Sequence, residues 1–141
     1  MKFRDEYWFL SNMYPCPVSM TVNGKEMVFP CAETAFQAMK CPDQADRFIG
    51  LDGFAAKRIG RKVPLRKDWN HVRVDIMRNV IRSKFMRNPD LLKKLKMVRG
   101  EIVEDNTWND TFWGRCNGVG ENRLVQILME LRDFYGSRKN S

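Results

Sequence analysis

Val18-Ser19-Met20-Thr21-Val22-Asn23-Gly24-Lys25-Glu26-Met27-Val28-Phe29, continued by Pro30-Cys31-Ala32-Glu33-Thr34-Ala35-Phe36-Gln37-Ala38-Met39-Lys40, reads as strand, turn, strand and helix in succession. Asn-Gly between two alternating runs is the signature of a two-residue hairpin turn, because both central residues must take positive φ. After Pro30 the composition changes to good helix formers, and Pro42 stops the run. At about 3.6 residues per turn, Glu33, Gln37 and Lys40 share one face, with Ala35 and Met39 placed behind it. A carboxylate, an amide and an ammonium on one stripe are either a solvated helix face or a working one. The small, apolar and aromatic neighbours favour burial, and a buried acid and lysine need partners or a task.

Downstream, the residues alternate between short helices and a basic linker. Asp43 is suited to cap a short helix through Ile49, and Asp52 or Gly53 to open another through Ile59, closed by Gly60. Residues 61–67 form an irregular linker with four cations around Pro64. A long helix is expected from a cap at Asp68 to about Arg87, with Trp69, Val72, Ile76 and Val80 at helical spacing. Asn88-Pro89 ends it and starts the next helix, through Met97. Residues 101–104 read as a short strand. Residues 105–121 read as a long loop carrying Trp108, Asp110, Phe112, Trp113, Gly114, Gly118 and Gly120, and loops of that length in a compact domain usually have a function. A helix from Asn122 to about Tyr135 buries Leu124, Ile127, Leu128 and Leu131. Upstream, Phe3, Tyr7, Trp8, Phe9 and Tyr14 make residues 3–14 either a packed edge strand or a stacking wall. The fold class is therefore mainly α, α+β with a minor β part: a single compact helical domain with an N-terminal β-hairpin over residues 1–136, then a loose tail over 137–141.

The chain has 141 residues, 43% hydrophobic and 30% charged, which suits one globular domain and excludes a disordered tail. No apolar run approaches the roughly 20 residues that span a bilayer, and the first residues lack a signal-peptide core, so a cytosolic protein without a membrane partner is expected. Cys16, Cys31, Cys41 and Cys116 form no C-x-x-C pair and His71 is the lone histidine, which points to reduced structural thiols and no metal site. The net charge of +8 is concentrated: residues 57–99 hold fifteen Lys/Arg against three Asp, a balance of +12 that leaves −4 elsewhere. Such a segment attracts phosphate esters, dinucleotides or nucleic acid, or forms the solvated faces of two helices.

Chemistry-bearing residues thus come from separate places: the Glu33 helix, Trp69 at a helix start, and Asp110 in a glycine-bearing loop. Two carboxylates are the minimum equipment for cleaving a glycosidic bond, one moving a proton and the other stabilising or attacking the oxocarbenium-like carbon. Trp69 is either a stacking platform for a base or a core residue. Asp110 either holds ribose hydroxyls or closes an Asx turn. Asn12, Arg61, Arg66 and Arg115 suit hydroxyl and phosphate contacts, and the loop from Gly118 to Asn122 meets a helix N-terminus, where anions are favoured.

Over nearly its whole length the chain resembles the NADAR (YbiA-like) family of N-glycosidases. The resemblance is carried by Phe9-Leu10-Ser11-Asn12, the Gly24-Lys25 turn, Pro30 with Glu33 and Phe36-Gln37-Ala38-Met39-Lys40, Gly60-Arg61, Leu65-Arg66-Lys67-Asp68-Trp69 and Lys84-Phe85. It continues through Val103-Glu104, Asp110 with Phe112-Trp113-Gly114, residues 118–122, and Ile127-Leu128-Met129-Glu130-Leu131-Arg132. It implies hydrolysis of the N-glycosidic bond at ribose C1, in phosphorylated ribosylamino-pyrimidine intermediates of riboflavin biosynthesis or in ADP-ribosylated guanine, free or in nucleic acid. It brings no cofactor and no metal. By resemblance the catalytic acid falls on Glu33, the lysine that forms a Schiff base with the opened ribose on Lys40, the tryptophan on Trp69 and the loop aspartate on Asp110. Substrate contacts fall on Asn12, Gln37, Arg61, Arg66, Trp113, Gly114, Arg115 and Asn122. The competing reading is a non-catalytic nucleic-acid or ADP-ribose binding module, which has no need of Glu33, Lys40 and Asp110 together. Two features depart from the family pattern: Cys31 stands where a Ser or Thr cap is common, weakening the helix start by about 1 kcal/mol, and residues 41–60 are shorter than in larger members.

Overall fold

The computed structural model describes residues 5–102, 110, 112–113, 120–136 and, for the backbone alone, 105–106, 115–116 and 137. It is mainly helical, with a two-stranded antiparallel hairpin near its N-terminus. The chain groups into two compact units, Asn12–Asn88 and, together, Met1–Ser11 with Pro89–Ser141.

In the Asn12–Asn88 unit, β1 (Val18–Val22) pairs with β2 (Lys25–Phe29) in the register Val18↔Phe29 to Val22↔Lys25. Asn23 at φ 49° and Gly24 at φ 81° form the tight turn that their side chains favour. Helix α1 (Ala32–Ala38) follows, then a 3-10 helix over Pro42–Phe48, α2 (Gly53–Gly60) and α3 (Trp69–Arg87). The outer edge of β1 is closed by α3: Ser19 N donates to Ser83 Oγ at 3.0 Å, and Ser83 Oγ donates to Ser19 O at 2.7 Å. One hydroxyl thereby occupies both ladder groups that a further strand would have used. Asn88 Nδ2 donates to Pro17 O (2.8 Å) and Lys84 O (2.7 Å), fixing the end of α3 beside the start of the hairpin.

Local signals and observed elements agree at α2, where Asp52 caps by accepting from Ala55 N at 2.8 Å. They part at two places within this unit, Asp43 and Asp68, while at Cys31 the side-chain cap is missing as its residue type implies. The expected cap Asp43 lies inside the 3-10 helix, whose first residue is Pro42, and accepts instead from Asn23 Nδ2 at 3.1 Å. Asp68 precedes α3 without a side-chain cap bond, because Arg66 forks onto both its oxygens at 2.6 and 3.1 Å. A charge-assisted bidentate pair outcompetes a single bond to a backbone N–H. Cys31 begins α1 without a side-chain cap bond; its Sγ meets Thr34 Oγ1 at 3.2 Å, and the Glu33 N–H is taken by the Asn12 carbonyl at 2.9 Å. A neighbouring backbone oxygen thus does the capping that Cys31 cannot.

In the second unit a 3-10 helix covers Asp5–Leu10, so the aromatic N-terminal stretch is not an edge strand. Helix α4 (Pro89–Met97) packs on α5 (Arg123–Ser137), and Arg132 ties the chain between them by donating to Val98 O at 3.3 Å and Gly100 O at 2.7 Å. A two-residue parallel pairing joins β3 (Asp105–Asn106) to β4 (Arg115–Cys116). Glu101 and Ile102 are not in a strand, and Val103, Glu104, Trp108, Gly114 and Gly118 lie outside the described residues. Cys16, Cys31 and Cys41 are free thiols, and no helix among the described residues is long and apolar enough to cross a membrane.

Lys84 on α3 is fully enclosed, with Nζ 5.4 Å from the Phe85 ring centroid and 5.9 Å from that of Tyr14. Burial pushes its ammonium from 10.5 down to about 8, against the opposing effect of Cys16 and Cys31. Below pH 8 folded and unfolded chains both hold the proton, and the cost of burying the charge stands in full. Between about 8 and 10.5 the unfolded chain binds more protons, so stability rises with pH in that window, by an amount on the order of 3 kcal/mol. Thermal unfolding of wild type and Lys84→Met at a series of pH values should show a gap in Tm favouring the variant most at pH 7 and shrinking toward pH 10.5. A gap independent of pH would show that the Lys84 ammonium titrates alike in the folded and unfolded chains, so that burial does not depress it.

Candidate active site

Every residue of α1 is buried, including Glu33 (8% exposed) and Gln37 (6%). The stripe of Glu33, Gln37 and Lys40 is therefore not a solvated face. Its first two members lie under α2, and the fit depends on two glycines. A Cβ at Gly53 would run into Met13 Sδ and come within 3.3 Å of Glu33 Cβ, and one at Gly60 would run into Gln37 Oε1. Gly53 and Gly60 are seven residues apart, hence on one face of α2, and Lys57 lies between them on that face. Its Nζ is 3.8 Å from Glu33 Oε1. The spacing Gly53-Lys57-Gly60 repeats that of Glu33-Gln37-Lys40. That match is the signal by which sequence reading, which passed over Lys57, would have found it.

Lys40 lies two residues past the end of α1, with its N–H bonded to Gln37 O (3.2 Å) and its carbonyl accepting from Arg66 N (2.9 Å). The linker is thus fixed to the helix end, and Trp69, 7% exposed at the first turn of α3, is brought against α1. Trp69 and Phe36 stand 5.1 Å apart between ring centroids at 52°, and Lys40 Nζ lies 5.9 Å from the Trp69 centroid. Trp69 is both a core residue and a wall beside a lysine. Burial lowers the Lys40 ammonium below its ordinary range; the Glu33 carboxylate opposes this, while Arg61 and Lys57 add to it. A lysine so placed is more readily the free amine that attacks a carbonyl carbon.

Two buried acceptor oxygens in this unit, Asn12 Oδ1 and Gln37 Oε1, have no hydrogen-bond partner among the described residues. Asn12 Nδ2 is directed to the Met77 sulfur at 3.5 Å. Orphaned buried acceptors cost about 1–3 kcal/mol each, and a ligand rich in O–H and N–H groups recovers that. Arg61 follows the last residue of α2, close enough to act on Lys40. Arg66 is engaged with Asp68, whose carboxyl it holds below the usual range, so a phosphate there has to compete with an existing fork.

Asp110, in the other unit, accepts at Oδ1 from Phe112 N (3.2 Å) and Trp113 N (3.0 Å), forming an Asx turn. Phe112 O and Trp113 O in turn accept from Arg123 N (3.0 Å) and Leu124 N (2.9 Å), so two N–H groups at the start of α5 are occupied by the chain itself. Asn122, at φ 56°, precedes α5, and its buried Oδ1 has no hydrogen-bond partner among the described residues. The side chain of Arg115 and all of Gly114 lie outside the described residues. Among the described residues no three of His, Cys, Asp and Glu gather as metal ligands.

The NADAR domain model matches residues 1–134. The N-glycosidase YbiA of Escherichia coli is 36% identical over 135 residues, 92% of this chain and 82% of that protein. A riboflavin biosynthesis protein of Vibrio vulnificus is 34% identical over 92% of this chain, which spans 36% of that longer protein. A chloroplastic riboflavin biosynthesis protein of Zea mays is 28% identical over 91% of this chain and 23% of its own length. The solution structure of E. coli YbiA superposes with a TM-score of 0.81 at 32% identity, covering 99% of this chain and 86% of that one. The chain belongs to the NADAR family of N-glycosidases.

Proposed function

We propose that this protein hydrolyses the N-glycosidic bond at C1 of a phosphorylated ribose, with Glu33 as proton donor and Lys40 as nucleophile. The observation that carries the reading is the pairing, on one buried helix and the turn after it, of a carboxylate held by Lys57 with a lysine whose ammonium is disfavoured. Glu33 acts in its protonated form, giving its proton to the leaving nitrogen as the C1–N bond breaks; the carboxylate left behind is the one Lys57 holds, and it regains a proton from the water that later hydrolyses the imine. Lys40 Nζ, as the free amine, bonds to C1; the ring C1–O bond then opens, its oxygen takes up a proton, and a protonated imine remains. Water adds to that imine and expels the Lys40 amine, so the net reaction consumes one water and releases the base amine and a ribose aldehyde that recloses. Trp69 stacks on the leaving base, while Asn12 and Gln37 receive ribose hydroxyls on their orphaned oxygens. Asp110 is assigned the ribose hydroxyls or the C1 cation, with Trp113, Gly114, Arg115 and Asn122 in its vicinity in sequence, and Arg61 and Arg66 the phosphate.

The relatives support a substrate class. Two riboflavin biosynthesis proteins align over nine-tenths of this chain, which supports a ribosylamino-pyrimidine phosphate; ADP-ribosylated guanine is the second candidate, supported by the basic segment over residues 57–99. Incubation with each substrate and mass detection of the released base decides between them. A protein that binds both and releases base from neither is the binding module instead.

Glu33→Gln keeps the shape of the buried side chain and removes its proton, so it should fold with an unchanged far-ultraviolet spectrum and lose about 10² to 10⁴ in kcat. Retention of more than a tenth of wild-type kcat excludes Glu33 as the acid. Borohydride added during turnover should leave a ribose-derived mass adduct that maps to Lys40 and is missing in Lys40→Arg. An adduct mapping to Lys57, or none while turnover proceeds, removes Lys40 as the nucleophile.

A further inference from the structure

Lys40 and Lys57 both act with Glu33, the one buried carboxylate among the described residues, and Arg61 acts on Lys40; the two lysines are not equivalent. Lys57 reaches Glu33 Oε1 at 3.8 Å from the glycine face of α2, with its side chain 35% exposed and that of Glu33 10% exposed. Lys40, on the same helix side as Glu33, makes no ion pair within 4 Å among the described residues; its Nζ lies over the Trp69 ring. We propose that Lys57 is the positioning residue of this site, taking the Glu33 carboxylate as its ion-pair partner and so leaving the Lys40 amine unpaired and directed toward Trp69.

Geometry and charge support the assignment together. Gly53 and Gly60 let α2 approach until Lys57 stands directly above α1, and a side chain at either glycine would move it away. An ammonium paired with a buried carboxylate is stabilised, so whichever lysine takes Glu33 becomes the poorer nucleophile. With Lys57 in that place, Lys40 experiences a carboxylate shared with another cation and two positive neighbours, Lys57 on α2 and Arg61 just after it, while α3 offers it the Trp69 ring. Without Lys57, Lys40 would no longer share the Glu33 carboxylate with a competing ammonium, and the pull of Glu33 on it would be stronger. The inference rests on the N-glycosidase reading only for what Lys40 attacks; the electrostatic arrangement stands apart from it.

The test uses the full chain, with Lys57→Met and Lys57→Arg, both checked for folding by thermal unfolding. Trace acetylation by acetic anhydride at a series of pH values, quantified at the Lys40 peptide by mass spectrometry, gives the midpoint at which Lys40 becomes reactive. In Lys57→Met that midpoint should move up by about one pH unit, a roughly tenfold slower labelling at neutral pH, and Lys57→Arg should restore it. A purely structural Lys57 would change Tm without moving the midpoint, and an unchanged midpoint in folded Lys57→Met overturns the proposal. Should the midpoint move while no substrate releases base, the N-glycosidase reading fails and the role of Lys57 stands. Where turnover is measurable, the rising limb of the kcat–pH profile should shift alkaline by the same amount in Lys57→Met.

Discussion

The close approach of α2 to α1 is the constraint on which the site depends. Two glycines on one face of α2 remove the Cβ atoms that would otherwise meet Glu33 and Gln37, and this closeness buries a carboxylate and an amide that the sequence alone leaves free to face water. Burying an ionised group is costly unless a counter-charge comes with it. Here the same helix face delivers both the burial and Lys57, so the desolvation and its compensation cannot be separated by small movements. A methyl group at Gly60 would displace the Gln37 amide first, since its Oε1 is the atom in the way. Helix α1 is only seven residues long, and isolated helices of that length do not persist in water. It holds its shape because its start is capped by the Asn12 carbonyl and its end is bonded to the basic linker through Arg66 N.

Local signals made the hairpin, α1, α2 and the long helix legible, because each is specified by a few residues whose backbone demands are strong: Asn23-Gly24 at positive φ, Pro30 before a helix, Asp52 as a cap, Pro89 at a first turn. Outcomes diverged where two local partners competed. Asp68 was a sound cap by type, yet Arg66 two residues earlier offered it a bidentate fork. The aromatic run near the N-terminus had β-forming composition and became a 3-10 helix, tertiary packing overriding propensity. Of the site, periodicity gave the shared direction of Glu33 and Gln37 but not their burial, which requires knowing that α2 lies on them. Lys57 was hidden for a related reason: a lysine in a run of fifteen cations looks like solvated surface until the glycines flanking it are seen to face another helix.

The basic segment also shows how little a charge count locates. Most of its cations are exposed, Arg66 is engaged with Asp68, and Arg78 reaches Asp75 on its own helix at 3.2 Å. What a cation does to Glu33 and Lys40 is set by its distance from them, not by the sum.

Two lysines in the Asn12–Asn88 unit have ammonium groups disfavoured by burial, and comparing them separates a structural perturbation from a functional one. Lys84 is sealed on all sides, beside two aromatic rings and two thiols, and no substrate carbon reaches its Nζ without opening the core. Lys40 is only partly buried, sits at the end of a helix in a turn, and has on one side a tryptophan wall and on the other an acid already held by another cation. A depressed lysine is therefore common to both, but exposure and a neighbouring carboxyl group belong to Lys40 alone. The proposed nucleophilic role requires all three at once, and among the described residues of this unit the turn after α1 is where they meet.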